Sequence, residues 1–564
     1  MKIRNENQNF ILKIIFATII FFQFGCNTPL DENKNKISLA VINARIWTGD
    51  TKKPWAEAMA ISGDTIAFVG STADCQKLVS TSTKIIDAHR QMITPGFIDS
   101  HVHFVEAGFG LTSVKLRDAN TKTDFIKRIA DFAKTIPSGT WITNGDWDQT
   151  LWGGEMPTSA WIDSITPNNP VYISRLDGHM ILANSLAMKI AGVNNSTKEV
   201  FGGEISRDVK NNPTGIFKDN AMDLVYKAVP DAKEILKDNA LQAAMNFVAS
   251  KGVTSVHNMG TFDDLETFRR ARDQNKMITR IYAVTPLTKW MQLHHDVAKN
   301  GKGDLWLHTG GLKGFVDGSL GAHTARMLEP FSDTKGGTGL FITPPDSLYA
   351  YTLSADKLGL QVIVHAIGDK AIRTQLDICE HVEKENGQRD RRFRIEHAQH
   401  ISPQDIPRFA ALEVIPSMQP YHCIDDGRWA EKIIGHERAK TTYAFRSLIN
   451  AGAKPAFGSD WAVAPPTPLE GIYAAVTRRT LDDKNPNGWI PEEKISVEEA
   501  LRCYTINAAR AGFEETYKGS IEVGKVADFV ILEKDLTKIA PETIRDVKVK
   551  ATYVGGKCVY EDKN

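Results

Sequence analysis

The stretch PGFIDSHVHF, residues 95–104, decides how the middle of this chain is interpreted. It has the character of a buried strand that ends in two histidines, His101 and His103. Because side chains alternate across a strand, a spacing of two residues places both imidazoles on the same face. Two adjacent neutral imidazoles each offer a nitrogen lone pair, which suits a divalent metal better than a packed core. The stretch therefore predicts half of a metal site at the end of a strand.

Seven further strand-like segments follow, and most of them are followed by a helical pattern, such as 263–275, 370–386 and 437–450. Eight strand–helix repeats predict a (β/α)8 barrel, a fold that carries its active site at the carboxyl ends of its strands. The seven segments end at His257, Pro286, Asp317, His365, His397, Gln419 and Asp460.

The rest of the chain divides around this barrel, which we expect over residues 95–512. Short strands and turns occupy 38–94 and return in 513–564, and neither flank has enough strands for its own core. We therefore expect one composite β-sandwich built from both chain ends. Residues 106–241 are too long for a loop and predict an inserted subdomain. Its aromatic and glycine-rich composition favours a lid over the barrel mouth, and the alternative is an extra packing layer remote from the site.

Composition argues against a nucleic-acid partner and against a fold held together by disulfides. The 564 residues include 68 basic and 68 acidic side chains, so no excess of positive charge favours nucleic acid. There are six cysteines and no C-x-x-C pair, which argues against a disulfide framework in so long a chain.

Residues 1–26 are typical of a targeting segment. Basic residues precede a short apolar run, 14–22, which is too short to span a bilayer as a stop-transfer helix. The run leads to Cys26, the expected lipidation site of a bacterial lipoprotein, and to a polar linker, 27–37. This predicts a membrane-anchored protein of the bacterial cell envelope. The alternative is a plain secretory signal with an incidental cysteine.

Six side chains of metal-ligand type fall on the predicted rim of the barrel. A lysine ammonium cannot bind a cation, but an amine that adds carbon dioxide becomes a carbamate, which can bridge two metals. Burial favours the neutral amine that this addition needs. The alternative for the lysine is a side chain that reaches into solvent. The six residues are His101, His103, Lys313, His365, His397 and Asp460.

Several motifs together resemble the amidohydrolase superfamily: 95–103, 364–369, 394–399, 457–461 and 519–528. Segments 177–184 and 311–325 are similar to amidohydrolase family 3, the YtcJ-like branch. The resemblance implies a distorted (β/α)8 barrel, a composite β-sandwich and a metal-dependent hydrolase whose centre is formed by the six residues above. It also implies one or two divalent ions, for which imidazole and carboxylate ligands favour zinc, with carbamylated Lys313 between them.

The expected reaction is hydrolysis of a C–N bond in a small N-substituted amide or formamide by a metal-bound hydroxide. Asp460 would be the catalytic residue that transfers the proton. The alternatives are an esterase, lactonase or carbamate hydrolase with the same site, or a non-catalytic surface lipoprotein. A homodimer is a further expectation. The side chains expected to contact substrate are Trp147, Trp152, His179, His257 and His422.

Overall fold

A computed structural model describes residues 36–230 and 234–563. The predictions for Cys26 and for the signal segment concern residues outside these ranges. Within the described ranges, we find no helix that is both long and apolar enough to cross a membrane.

The N-terminal flank forms short strands and one short helix, α1 (Thr72–Gln76). Four of its strands form a sheet in the order β5-β4-β1-β6. The first four residues of β4 are apolar and all buried, so both faces of this strand pack against apolar side chains. The chain then enters β8 (Phe97–Val102), the first barrel strand. The strands of the flank are β1 (Leu39–Ile42), β2 (Arg45–Trp47), β3 (Trp55–Ala56), β4 (Ala58–Ser62), β5 (Thr65–Gly70), β6 (Lys84–Asp87) and β7 (Met92–Pro95).

The insertion after β8 is a subdomain with its own sheet and its own core. Its five strands lie in the order β12-β13-β11-β10-β9. Buried side chains of this core include Phe125, Trp147 and Ile173. The strands are β9 (Ile142–Trp147), β10 (Val171–Arg175), β11 (Met180–Ala183), β12 (Gly203–Arg207) and β13 (Pro213–Asp219). The helices are α2 (Phe104–Gly110), α3 (Lys122–Ala133), α4 (Ser159–Ile162), α5 (Ser185–Ile190) and α6 (Asp223–Tyr226).

The barrel resumes at α7 (Glu234–Ala249) and confirms the predicted (β/α)8 fold. Its eight strands pair in chain order, from β8 and β14 to the last strand, β20. Every neighbouring pair is parallel. A parallel bridge between Val102 and Trp461 brings the two ends of the sheet together. The strands after the insertion are β14 (Val253–Met259), β15 (Arg280–Pro286), β16 (Leu307–Phe315), β17 (Gln361–Ala366), β18 (Arg394–His397), β19 (Ile415–Met418) and β20 (Ala456–Phe457).

Helices surround this barrel, and local signals define their ends. Thr261 and Asp264 form a capping box at the start of α8. The single helix predicted over 437–450 is instead two short helices, because Tyr443 between them has a φ of 52°. The helices are α8 (Phe262–Asp273), α9 (Trp290–Asn300), α10 (Pro345–Lys357), α11 (Asp369–Asn386), α12 (Ile406–Ala411), α13 (Pro420–Asp426), α14 (Ala430–Ile434), α15 (His436–Ala439), α16 (Phe445–Asn450), α17 (Pro468–Thr477), α18 (Val497–Cys503) and α19 (Ile506–Ala511).

Both chain ends share a second sheet of the flank, as predicted. The C-terminal strands are β21 (Phe529–Leu532), β22 (Val549–Val554) and β23 (Lys557–Glu561). They join the N-terminal strands in the order β23-β22-β21-β7-β2-β3. Phe529 and Tyr553 stack with ring centroids 4.5 Å apart, in a core that also contains Ile46 and Ile93. Neither end could bury its apolar face without the other.

Candidate metal centre

The end of β8 and the loop after β20 bring two histidines against one carboxylate. Nε2 of His101 and Nε2 of His103 lie 3.3 and 3.4 Å from Oδ1 of Asp460. The backbones approach closely because residue 458 is a glycine: a Cβ there would lie 2.6 Å from the backbone nitrogen of His101. Oδ1 of Asp460 is buried yet accepts no hydrogen bond. These three side chains therefore fit a divalent cation, which imidazole and carboxylate ligands both favour.

A second group of ligand atoms adjoins the first. His397, at the end of β18, and His422, in α13, form it together with Asp460. Nε2 of His422 is buried and makes no hydrogen bond. His422, predicted as a substrate residue, is thus placed among the metal-ligand atoms. His365, at the end of β17, lies in the same cluster, with its ring centroid 4.5 Å from that of His397.

Lys313 projects from β16 into this cluster. Its Nζ lies 3.3 Å from Nε2 of His101, and the residue is only 6% exposed. Burial lowers the pKa of Lys313 to about 8, although Glu396 and Asp460 act in the opposite direction. The predicted alternative of a solvated lysine is wrong. A buried amine with a lowered pKa can be neutral, which is the form that reacts with carbon dioxide.

Hydrogen bonds to the far side of each ring fix the orientation of the histidines. Nδ1 of His101 lies 2.5 Å from Oε2 of Glu396, which leaves Nε2 directed at Asp460. Nδ1 of His397 lies 2.9 Å from Oε1 of Gln419. Nε2 of His365 lies 3.1 Å from the carbonyl oxygen of Gly318. Partners of this kind set the tautomer of ligand histidines and raise their basicity.

Glu396 in turn depends on a buried arginine. Arg394 donates from Nε to Oε1 of Glu396 at 2.8 Å and from Nη2 to Oε2 at 3.1 Å. Neither side chain is exposed. Sequence reasoning missed both residues as part of the site. The available signal was the segment Arg394-Ile-Glu-His397, which places two opposite charges two residues apart in a strand expected to be buried.

Electrostatics keep three of the histidines and the aspartate in the states that a cation needs, whereas Asp460 raises the pKa of His103 against the effect of burial. Burial lowers the pKa of His101, His365 and His397 well below the usual value, and neighbouring positive charges add to the effect. These rings are therefore neutral at neutral pH. Burial alone would raise the pKa of Asp460, but His101 and His103 hold it below its usual range. The carboxylate is therefore ionised.

The insertion contributes part of the cavity in front of this centre. The cavity has a volume of about 50 Å³, and the inserted residues Asp148, Arg175, Asp177 and His179 line it together with the barrel histidines. The ring of His179 lies 4.9 Å from that of His365. Its Nδ1 lies 2.6 Å from Oδ1 of the buried Asp219, so Nε2 is the ring nitrogen free for the cavity. The insertion thus covers the barrel mouth.

Three of the predicted substrate residues do not line this cavity. Trp147 lies in the core of the insertion, fully buried, and donates to the carbonyl oxygen of Ile173. Trp152 packs against Phe125, with ring centroids 5.2 Å apart. These aromatic side chains stabilise the lid subdomain, and the prediction that they contact substrate is corrected.

His257 lies inside the barrel, away from the cavity. Nη1 of Arg394 lies 3.0 Å from its Nδ1. Glu514 lies on its other side, with Oε2 3.5 Å from Nε2. Burial lowers the pKa of His257 to about 4. The ring is therefore a neutral support for Arg394, which corrects the prediction that it contacts substrate.

Comparison with known proteins identifies the family of this chain. The model of the amidohydrolase family matches residues 84–560. Protein LONG AFTER FAR-RED 3 of Arabidopsis thaliana is 43% identical over 93% of this chain and 91% of its own length. Putative amidohydrolase YtcJ of Bacillus subtilis is 30% identical over 90% and 96%. N-substituted formamide deformylase of Arthrobacter pascens is 29% identical over 93% and 98%.

A solved structure shares the architecture. An uncharacterized metal-dependent hydrolase from Pyrococcus horikoshii superposes with a TM-score of 0.73 at 27% identity, covering 89% of this chain and 99% of that one. The family match over residues 84–560 contains the whole barrel and the C-terminal strands of the β-sandwich. The predicted resemblance is confirmed: this chain belongs to the amidohydrolase family and is a hydrolase.

Proposed function

We propose that this protein hydrolyses the C–N bond of a small N-substituted amide or formamide. The observation that carries the proposal is the position of Asp460. One carboxylate oxygen lies against His101 and His103, and the other lies 4.0 Å from Nδ1 of His397. A carboxylate shared in this way can both hold a cation and exchange a proton with a reacting group.

Two observations favour a formamide or another small amide over a bulky one. The cavity in front of the centre has a volume of about 50 Å³, which is room for only three or four water molecules on the usual scale. An acyl group there has to be small, whereas the substituent on nitrogen can extend toward the mouth. The second observation is the similarity to an N-substituted formamide deformylase over nearly the whole chain.

The six predicted ligands would divide between two positions. His101, His103 and Asp460 would hold one divalent ion, for which we propose zinc. His365 and His397 would hold a second, with Lys313 between the positions and His422 at the second group. Such an ion supplies Lewis acidity, which polarises a carbonyl group and acidifies a water molecule.

The chain's own groups then handle the proton and the orientation of the substrate. Asp460 accepts a proton from the attacking water and returns it to the leaving nitrogen, which departs as a neutral amine. His179 presents Nε2 to the substrate from the lid, because Asp219 holds its Nδ1. The lid excludes bulk water and so strengthens these polar interactions.

We also propose that Lys313 is carbamylated. The neutral amine would attack the carbon of carbon dioxide, so that an N–C bond forms while one C–O π bond opens onto its oxygen, and one amine proton passes to water. The product is a carboxylate in the position of the former ammonium. An ammonium group at Lys313 would repel two metal ions. The carbamate is negatively charged and would instead be a ligand to them.

The test is to measure substrate turnover by protein whose metal content has been determined. Protein reconstituted with zinc, manganese or iron would be assayed on N-alkyl formamides, the matching acetamides, and esters and carbamates of the same size. We expect release of amine from formamides, with acetamides slower. Faster turnover of esters, lactones or carbamates would favour the alternative hydrolase, and no turnover with any metal would overturn the proposal.

We further propose that the protein is a lipoprotein of the cell envelope, anchored at Cys26. The motif of residues 1–26 supports this. Wild-type protein should partition into detergent after expression in a bacterium that processes lipoproteins. Cys26→Ser should leave the chain uncleaved or soluble. Unchanged processing and partitioning of that variant would contradict the anchor.

A further inference from the structure

A second cavity lies at the opposite end of the barrel from the metal centre. Its volume is about 280 Å³, and it opens beside the first residues of β15, β16 and β17. His308, in its wall, precedes Lys313 by five positions in β16, so a distance of about 16 Å along the strand separates the two ends. None of the proposed metal ligands lines it. The polar lining includes Tyr282, Lys302, His308, Gln361, Arg389 and Arg391.

Positive charge dominates the wall of this cavity. Lys302, Arg389 and Arg391 all line it, whereas Asp390 is the acidic residue of the lining. The carboxylate of Asp390 is already engaged, since Nε of Arg392 donates to its two oxygens at 3.1 and 3.0 Å. Arg392 also pairs with Glu515 at 2.8 Å, so these two carboxylates share one guanidinium group. The lining itself carries three cationic side chains and one acidic side chain.

The acidic residues behind the wall do not balance these charges. Asp356 is shared: it accepts a hydrogen bond from Arg389 and lies 3.1 Å from Nε of Arg391. Glu514, on the barrel side, is paired with Lys518 at 2.7 Å. Asp356 is thus shared by two guanidinium groups, and Glu514 is paired with Lys518.

Two of the cationic groups have unused hydrogen-bonding capacity. In the described part of the chain, no carboxylate lies within ion-pair distance of Lys302, whose Nζ is 3.5 Å from the carbonyl oxygen of Gly359. Nε of Arg391 makes no hydrogen bond, although the residue is only 7% exposed. Burial lowers the pKa of Lys302, and the nearby charge of Arg389 adds to this effect. Lys302 and Arg389 therefore repel each other, and no described carboxylate pairs with Lys302.

The backbone of β16 has a bulge in the wall of this cavity. Ala283 pairs with Thr309 and Val284 with Gly311, so Gly310 is an extra residue between two paired positions of β16. Its φ of 130° is one that residues other than glycine rarely adopt. This bulge lies in the lining of the cavity.

We propose that this cavity is an anion-binding site for a small molecule that carries a phosphate or carboxylate group. Guanidinium groups bind both anions through paired hydrogen bonds, and a lysine supplies a further point charge. The volume exceeds that of a bare phosphate ion, so the ligand has a short organic part beside its anionic group. Tyr282 and Gln361, which hydrogen-bond to each other at 2.9 Å, form a neutral polar surface for that part.

The proposal is tested by calorimetric titration of the metal-loaded protein with inorganic phosphate and, separately, succinate at constant ionic strength. We expect saturable binding of at least one of the two, and the tighter probe identifies the anionic group. Lys302→Gln should weaken that binding at least tenfold, and Arg391→Gln should do the same. Lys299→Gln, which changes an exposed lysine of α9 outside the cavity lining, is the matched control and should bind as wild type does.

Metal content and unfolding midpoint of Lys302→Gln should equal those of wild type, because Lys302 has no ion pair to lose. Arg391→Gln is expected to be less stable, since Asp356 loses a partner. No saturable binding of either probe would overturn the proposal. Binding that Lys302→Gln and Lys299→Gln weaken equally would also overturn it, because the anion would then respond to overall charge.

Discussion

Glu396→Gln is the most informative substitution, because Glu396 joins the metal centre to the interior of the barrel. Its carboxylate meets Nδ1 of His101 at 2.5 Å and two nitrogens of Arg394 at 2.8 and 3.1 Å. All three side chains are fully buried. A glutamine keeps one acceptor oxygen but turns the other into an NH2 group, which must face a donor. Either His101 or Arg394 therefore loses its acceptor.

Two magnitudes follow from this geometry. Loss of a partner that orients a ligand histidine typically weakens metal binding 10–100-fold, which is about 1.4–2.7 kcal/mol. Loss of one partner from a buried ion pair costs about 3–5 kcal/mol, because the remaining charge stays buried. Against a typical unfolding free energy of about 5–15 kcal/mol, the second effect is large. We expect a folded variant with weaker metal binding and a clearly lower urea midpoint.

Zinc competition with a chelator measures the first effect, and urea unfolding of metal-free protein measures the second. Glu499→Gln is the matched control, because Arg446 also binds Glu499 through two nitrogens, at 2.7 and 2.5 Å, but both side chains are partly exposed. It should lose about 0.2–1 kcal/mol of stability and no metal affinity. Wild-type metal affinity and stability in Glu396→Gln would refute the assigned role of Glu396.

Four other substitutions separate the roles of residues in the site and in the insertion. Asp460→Asn keeps an oxygen ligand but removes the proton acceptor, so it should retain much of its metal and lose about 10²–10⁴ in kcat; near-normal kcat at neutral pH would remove Asp460 from proton transfer. Lys313→Ala should lose one metal and most activity, and added acetate or propionate should restore part of both; a plain cation would not be rescued by an anion. His179→Gln should change KM or kcat at constant metal content and stability, whereas Trp147→Ala should lose about 3–5 kcal/mol of stability, as expected for a buried tryptophan. Loss of metal from His179→Gln, or wild-type stability in Trp147→Ala, would reverse these two assignments.

The sequence was sufficient for the architecture because local patterns carry it. Alternating buried strands and helical periods predict the barrel, and parallel strands of a barrel place their carboxyl ends on one rim. His101, His365 and His397 were expected on that rim because each occurs late in a strand pattern, whereas Lys313 stood near the start of its predicted strand and occurs late only in the observed β16. The structure places all four near Asp460. The sandwich of both chain ends was also predictable, since neither flank could bury its apolar residues alone.

The sequence was not sufficient for the residues that act across the barrel. Glu396 on β18 supports His101 on β8 from across the barrel, and Gln419 supports His397 from the end of the neighbouring strand. The sequence separations carry no trace of these pairings. His257 and His422 have the same residue type, yet one is a neutral support inside the barrel and the other lies among the metal-ligand atoms.

The same limit explains the aromatic residues of the insertion. Trp147 was expected at the barrel mouth because its segment is rich in glycine and aromatic residues, as binding loops are. The same composition also occurs in a packed sheet, so it does not separate the two structures. In the structure it is the last residue of β9, and its side chain fills the core of the subdomain. Periodicity and residue type determine which strands and helices form, because those depend on neighbours along the chain. Which side chains meet across 100 residues or more depends on strand order and on how the insertion packs over the barrel, and only the tertiary structure decides that.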